Sequence, residues 1–252
     1  MELRRIEATR YVTPLREGGS LPALVEASDD GLYVLKLRGA GQGPKALVAE
    51  IVAGELARAL GLTVPELALV ELDPVVATAE PDPEIQDLLR ASAGLNVGVD
   101  FLPGSLAYSP AAGPAPSPEE AARIVWFDGL VTNVDRTPRN PNLLVWHGRV
   151  WLIDHGAALF FHHAPEQAPE HALTPFPQIA EHVLLPCAGP IRDAHAELAP
   201  LVTEPLLAEV AAAVPAELLG GDNPRMYVDY LLRRLAEPRA FVDAAEDARG
   251  RR

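Results

Sequence analysis

Cysteine and long apolar runs are both scarce in this sequence. Cys187 is the single cysteine among 252 residues, which excludes an internal disulfide framework and suits a reducing compartment. No charged and then apolar leader opens the sequence, and no apolar run approaches the roughly 20 residues that span a bilayer. We therefore expect a cytoplasmic protein without a membrane span, in which Cys187 is a small core residue.

Basic residues are also few, and their scarcity limits the partners we expect. The chain has 21 Lys and Arg against 35 Asp and Glu, which gives a net charge of −14. Surfaces that bind nucleic acids need clustered Lys and Arg, so we expect no nucleic-acid partner. Two kinds of phosphate loop are missing as well. There is no Gly-Lys-Ser/Thr of a Walker A loop, and residues 39–44 lack the glycine spacing of a dinucleotide-binding loop.

Apolar residues, in contrast, are plentiful. They make up 48% of the chain, enough for one large core or two lobes. The 25 prolines are spread through the sequence, with a dense stretch at residues 110–118 that predicts a linker or surface loop.

The most informative polar residues lie between residues 128 and 156. Asp135 is followed five residues later by Asn140, and Asp154 comes fourteen residues after that, close to a glycine. In protein kinases the catalytic loop carries an Asp with an Asn five residues later, and a second Asp returns on the next hairpin to hold magnesium. The spacing therefore predicts the catalytic core of a phosphoryl transferase.

A hairpin between the two halves of this pattern supports that interpretation. Residues 143–146 and 149–153 are short apolar runs joined by His147-Gly148, which is typical of a hairpin turn. The hairpin would bring Asp154 back beside Asn140.

The chemistry of phosphoryl transfer explains why these residue types are needed. Charge spreads over the oxygens of the transferred group, so the enzyme mainly supplies divalent cations and positioning. Magnesium takes oxygen ligands and usually needs one or two carboxylates plus substrate phosphates. We expect Asp154 and the amide oxygen of Asn140 to be metal ligands, and Asp135 to be the catalytic base.

A simpler interpretation of the same residues is a solvated turn. Asn, Asp, Pro and Arg between apolar runs are common in turns, and an Asp near a Gly often ends a strand. Each half of the pattern alone favours the turn. The two halves at matched spacing favour the catalytic interpretation.

The first part of the chain contains a candidate phosphate clamp. Residues 24–27 and 32–37 have the composition of two strands, and Asp30-Gly31 between them marks a tight hairpin. Lys36 points opposite to its apolar neighbours, so it is either exposed or directed into a cleft. Kinase-like folds place such a lysine on the α- and β-phosphates. Before this hairpin lie residues whose backbone amides we expect to approach a phosphate: Gly18, Gly19 and Ser20.

A helix is predicted over residues 44–60, with a proline at its start and a glycine after its end. Its interior is mostly apolar, which makes its few charges informative. Glu50 is the candidate to orient Lys36, as a helix glutamate does in kinase-like folds. Glu55 is the reserve, since it can also pair with Arg58.

Residues 67–72 and 96–102 are expected to complete a small antiparallel sheet. At the end of the second run the chain should cross between lobes, and there the backbone of Asp100, Phe101 and Leu102 would meet an adenine edge. We place an N-lobe at residues 1–103 and a C-lobe at residues 104–252. Apolar residues at three- and four-residue steps predict helices in the C-lobe, at residues 178–185, 190–198, 203–214, 226–235 and 238–249.

With these residues in place, the chain resembles a HipA-like kinase domain, within the wider group of protein kinase-like and phosphatidylinositol 3- and 4-kinase-like proteins. The resemblance covers roughly residues 12–165 and is carried by four motifs: Tyr33-Val-Leu-Lys36, the segment from Lys45 through Glu50 to Glu66, Asn133-Val-Asp135-Arg136 with Asn140, and Ile153-Asp154-His155-Gly156. It implies an α+β, bilobal protein kinase-like fold, with an antiparallel sheet and one main helix in the N-lobe and a mostly helical C-lobe. It also implies ATP and Mg²⁺ as cofactors and transfer of the γ-phosphoryl group to a hydroxyl-bearing substrate.

The sequence also departs from protein kinases. Val134 precedes Asp135 where protein kinases have an Arg, the metal-binding triplet reads Asp-His-Gly, and no activation segment ends in Ala-Pro-Glu. A protein Ser or Thr acceptor is slightly favoured, but a small-molecule or lipid kinase, a non-catalytic nucleotide-binding module and a coincidental spacing stay open as alternatives.

Overall fold

The computed structural model describes residues 1–15, 21–41, 43–111 and 115–251 and has an α+β fold. The described strands are β1 (Arg4–Pro14), β2 (Ala23–Ala27), β3 (Leu32–Lys36), β4 (Leu67–Leu72), β5 (Gly94–Asp100), β6 (Leu106–Ala107), β7 (Leu143–Trp146) and β8 (Arg149–Leu152). The described α-helices are α1 (Pro44–Ala59), α2 (Pro83–Ala91), α3 (Pro118–Val131), α4 (Ala168–His171), α5 (Ile191–Leu198), α6 (Glu204–Ala212), α7 (Ala216–Leu219), α8 (Arg225–Leu235) and α9 (Ala240–Gly250).

Five strands close into a barrel in the order β1-β2-β3-β5-β4. On β2 alternate residues are buried, as Ala23, Val25 and Ala27 are. Among the predicted strands, the pairs β2 with β3, β3 with β5 and β5 with β4 all run antiparallel. The unpredicted strand β1 pairs antiparallel with β2 and parallel with β4. A closed ring of five strands cannot alternate direction throughout, so one pair must be parallel.

β1 was not predicted, because its pattern is irregular. Its buried residues Ile6, Ala8 and Tyr11 do not keep a spacing of two. Register shifts between Ala8 and Arg10 and between Tyr11 and Thr13 explain this, since each irregularity moves later side chains to the other face.

Both predicted hairpins are confirmed. β2 and β3 pair antiparallel around Asp30-Gly31, and β7 and β8 pair antiparallel around His147-Gly148. His147 and Gly148 both have positive φ, 49° and 72°, which is the backbone of the tight turns that match strand twist. This second hairpin joins the two halves of the candidate catalytic pattern.

Helix α1 matches its prediction to within one residue, and α5, α6, α8 and α9 confirm four of the five later helices. The helix expected at residues 178–185 is wrong, because the chain there forms two short 3-10 helices, Pro177–Glu181 and Leu185–Cys187. Pro186 cannot donate a helical hydrogen bond, and the N–H of Leu184 donates to the side chain of His182 instead.

Helix α3 was missed, although it lies at the centre of the helical part. It begins directly after the proline-rich stretch, with the Ser117 side chain accepting the N–H of Glu120. Nearly all of its later residues are buried, including Trp126 and Phe127, so it shows no amphipathic period. It packs against α5, α8 and α9 and leads directly into the candidate catalytic loop.

The remaining described 3-10 helices are short connections: Pro74–Ala79, Phe160–His163, Pro165–Gln167 and Ala199–Leu201. Within the described ranges, no helix has the length and apolar character needed to cross a bilayer.

Candidate active site

Lys36, at the end of β3, is directed into the interior of the protein. Its Nζ atom lies 2.8 Å from Oδ1 of Asp154, which follows β8. Burial alone lowers the pKa of this ammonium, but nearby negative charges outweigh it and raise the pKa. Those charges belong, in order of effect, to Glu50, Asp154 and Asp135. The predicted lysine and three of the predicted carboxylates therefore meet in one place.

Glu50 lies on the buried face of α1 and is only 2% exposed. Its Oε2 atom accepts the backbone N–H of His155 at 2.9 Å, so it holds the segment next to Asp154. Burial raises the pKa of Glu50, but the Lys36 charge and the bonds from His155 lower it to about 2. Glu50 thus acts on Lys36 through its charge, while the recorded ion pair of Lys36 goes to Asp154. The reserve candidate, Glu55, pairs with Arg58 at 3.3 Å.

Asp135 is fixed by two amide side chains of its own loop. Its Oδ2 atom accepts Nδ2 of Asn140 at 2.8 Å and Nδ2 of Asn142 at 3.3 Å. Its backbone N–H donates to Oδ1 of Asn133 at 3.2 Å. Asn142 was not singled out from the sequence. The available signal was a second Asn in the loop, directly before an apolar strand.

Two residues of the site have left-handed backbone. Asn142 has φ of 47° and Asp154 has φ of 57°. Asn and Asp tolerate this region better than other L-residues, yet the conformation is strained and persists only where the surroundings hold it. Both residues lie in the segments that carry the predicted metal ligands.

A buried charge cluster lies beneath the loop and was not predicted. Asp128, on α3, receives Nε of Arg136 at 2.5 Å, Nε2 of His182 at 2.8 Å and Nδ2 of Asn133 at 3.0 Å. Burial raises the pKa of Asp128, but the charges and hydrogen bonds of Arg136 and His182 hold it well below its usual range. Spacing along the chain does not predict this cluster, because the pairing with His182 joins distant segments.

The donor set around Asp135 and Asp154 suits magnesium. Among the residues with described positions, no three His, Cys, Asp or Glu side chains form a metal site by themselves. A magnesium ion would therefore take one or two carboxylates, amide oxygens and substrate phosphates, as it commonly does. Asn140 and Asn142 each donate Nδ2 to Asp135, so the Oδ1 atoms remain as their ligand-forming groups.

Two segments were predicted to contact the nucleotide, and the structure describes only the one expected at the adenine. The N–H of Asp100 donates to Glu66 O at 2.9 Å, and that of Phe101 donates to Leu32 O at 3.0 Å. Both donors are thus used within the protein, whereas the N–H of Leu102 donates to no backbone carbonyl among the described residues and could serve the adenine prediction. The other predicted segment lies outside the described residues: Gly18, Gly19 and Ser20.

Comparisons with known proteins bear on the family and the fold of the chain. A family model described as HipA-like kinase matches residues 9–184. The crystal structure of a Helicobacter pylori proinflammatory kinase, CtkA, is similar with a TM-score of 0.56 and 13% identity, covering 98% of this chain and 99% of that chain. The Golgi casein kinase with Mn/ADP bound has a TM-score of 0.50 and 12% identity, covering 98% of this chain and 73% of that one.

A second structure of the Golgi casein kinase gives a TM-score of 0.50 and 13% identity, with 100% of this chain and 74% of that chain covered. At these identities the likeness shows the fold alone. No curated protein sequence matches the chain.

Proposed function

Since the chain belongs to the HipA-like kinase family and is a kinase, we propose that it is an ATP- and Mg²⁺-dependent phosphotransferase with a hydroxyl acceptor. One observation carries the proposal. The Lys36 ammonium lies against Asp154 and within electrostatic reach of Asp135, so a phosphate clamp, a metal ligand and a base share one site.

Several residues of the chain would bind the metal ion and the phosphates of the nucleotide. Asp154 and Oδ1 of Asn140 would hold Mg²⁺, and Oδ1 of Asn142 is a further candidate. The bound cation would neutralise charge on the phosphate oxygens. Lys36 would bind the α- and β-phosphates, while Glu50 keeps Lys36 charged and holds His155 in position.

Asp135 would act as the base through its Oδ1 atom. Two amide donors already bind Oδ2, so Oδ1 is the oxygen left to take the proton of the acceptor hydroxyl. The hydroxyl oxygen forms a bond to the γ-phosphorus, and the bond from that phosphorus to the β-phosphate oxygen breaks. The products are the phosphorylated acceptor and ADP.

We also propose a bilobal organisation, with an N-lobe at residues 1–103 and a C-lobe at residues 104–252. The nucleotide would lie between them, with its base near Leu102 and its phosphates near Lys36. The Golgi casein kinase with Mn/ADP bound supports the nucleotide and divalent metal, because its fold is similar to that of this chain.

A Ser or Thr of a protein is the acceptor we favour. A cavity of about 390 Å³ lies away from the catalytic loop, but one of about 260 Å³ lies beside it, lined in part by Val134 and Phe160. The smaller volume is below the roughly 300–1,000 Å³ of small-molecule pockets. It suits a single side chain of a polypeptide substrate.

Isothermal titration with ATP and Mg²⁺ tests the proposal. We expect binding by the wild type, weaker metal-dependent binding by Asp154→Ala, and retained binding by Asp135→Ala with turnover lowered about a hundredfold. If folded wild-type protein gives no binding heat, the proposal that it binds ATP is wrong. ATP binding without phosphoryl transfer or ATP hydrolysis in the wild type would instead identify a non-catalytic module.

A further inference from the structure

The guanidinium of Arg136 joins three segments that meet at the candidate active site. Its side chain is fully buried, and Nε binds Asp128 on α3. Its Nη1 atom donates to the backbone carbonyl of Asn142 and, at 3.3 Å, to that of Ile153. One planar cation therefore contacts α3, the end of the candidate catalytic loop and the residue before Asp154.

The Asp128 carboxylate that pairs with Arg136 is held in place as well. Asp128 is also fully buried and accepts hydrogen bonds from His182 and Asn133. Arg136 is tied to the same region by its backbone, because its carbonyl accepts the N–H of Val183 at 3.0 Å. The guanidinium is thus a fixed point against which the active-site segments are placed.

The two carbonyls that Arg136 binds belong to the strained part of the site. Asn142 itself has left-handed backbone, and Ile153 directly precedes Asp154, which is left-handed too. Such conformations persist only where the surrounding structure holds them. Arg136 binds the backbone at both places, and magnesium demands near-ideal octahedral ligand geometry.

We propose that Asp128 and Arg136 are positioning residues that set the separation between the loop carrying Asn140 and Asn142 and the segment carrying Asp154. Both side chains are fully buried, so we expect them to touch neither nucleotide nor acceptor. The inference rests on the proposed function, because it concerns the geometry of the same metal site. A purely structural role for the pair would affect stability without changing metal affinity in the folded protein.

The deciding variant is the double substitution Asp128→Leu with Arg136→Met. Replacing a buried ion pair by apolar residues of similar size is often neutral for stability, whereas removing one partner leaves a buried charge unpaired. We expect the double variant to fold and to lose about 10- to 100-fold in Mn²⁺ affinity, measured by electron paramagnetic resonance with ADP present, and in kcat. ATP binding measured without metal should change much less.

Arg234→Met is the matched control. Arg234 is also buried, on α8, but its guanidinium donates to the carbonyls of Gly129, Ala172 and Thr174, none of which belongs to the metal site. We expect this variant to unfold at a lower denaturant concentration, with Mn²⁺ affinity and kcat within about twofold of the wild type when it is folded.

Two outcomes separate this inference from the proposed function. If the wild type fails to bind Mn²⁺ with ADP, the proposed function fails. If the wild type binds and the folded double variant keeps its Mn²⁺ affinity and kcat within twofold, the positioning role is overturned. Should the double variant not fold, Arg136→Lys decides by the same criterion, since it keeps the charge beside Asp128 but cannot span both carbonyls.

Discussion

Lys36 and Asp154 form an ion pair of 2.8 Å between Nζ and Oδ1, although one lies on β3 and the other follows β8. The predicted partner of Lys36, Glu50, binds the N–H of His155 instead. A cation that coordinates Oδ1 of Asp154 must therefore share that oxygen with the ammonium. In the proposed function, the pair would link nucleotide binding and metal binding through a single carboxylate.

This relationship predicts opposite effects of Lys36→Met on two ligands. ATP should bind about tenfold more weakly, because a charge-assisted hydrogen bond to phosphate is lost. Mn²⁺ without nucleotide should bind more tightly, because a competing positive charge leaves Asp154. Isothermal titration with ATP and paramagnetic resonance with Mn²⁺ measure the two effects.

Lys45→Met is the control for that experiment. Lys45 lies on α1, where it donates to the carbonyl of His162 and its Nζ atom lies 3.4 Å from Oδ2 of Asp222. Neither affinity should change by more than about twofold. Unaltered ATP binding by Lys36→Met would contradict the role proposed for the lysine.

The low pKa of Glu50 predicts that the folded protein loses stability at acidic pH. Its folded pKa of about 2 lies below its ordinary value of 4.5. The unfolded chain therefore takes up the proton first, and stability present above pH 4.5 is lost as the pH falls toward 2. Between pH 5 and pH 3 the contribution falls by about 2 kcal/mol. Urea unfolding at pH 7, 5, 4 and 3 should show a shallower decline for Glu50→Gln, and parallel curves would refute the ionised state of Glu50.

The parts of the site that the sequence predicted are those encoded locally. Asp135 and Asn140 meet because they lie five residues apart in one loop, and a two-residue turn with suitable residues returns the chain to Asp154. Helix α1 was predicted because proline and glycine mark its two ends. In each case neighbouring residues determine the geometry.

The parts that were missed depend on contacts between distant segments. Asp128 bonds with His182, which lies between the two 3-10 helices that replace the helix expected at 178–185. The choice of Lys36 between Asp154 and Glu50 is likewise set by packing of α1 against the rest of the fold. Spacing along the chain can place two carboxylates near a lysine, but it cannot decide which one touches it.

The low pKa of His162 predicts a second loss of stability, which begins at a higher pH than that of Glu50. It is fully buried, its Nδ1 atom bonds with the hydroxyl of Tyr227, and burial lowers its pKa to about 3. Because the unfolded histidine takes up a proton near pH 6.5, stability is complete above that pH and falls as the pH drops toward 3. The loss from pH 6 to pH 5 is about 1 kcal/mol.

His162→Asn should remove this part of the decline, since its amide can replace Nδ1 in the bond with Tyr227. His147→Asn is the control, because His147 is exposed in a turn with positive φ that Asn tolerates. Urea unfolding at pH 7, 6 and 5 compares the three proteins. Equal pH dependence in wild type and His162→Asn would show that His162 does not stay neutral in the folded protein.

Gly98 tests the packing of the barrel that carries Lys36. It pairs with Leu35 on β3 and with Ala68 on β4, and a Cβ atom there would lie 2.6 Å from Cγ2 of Val70. Gly98→Ala should therefore lower the free energy of unfolding by about 1–3 kcal/mol, as overpacking of a core does. Gly250→Ala, where a Cβ meets nothing within 4 Å, should change it by less than about 0.5 kcal/mol. Urea unfolding at pH 7 distinguishes them, and equal stability of the two variants would mean that β5 does not pack this closely against β4.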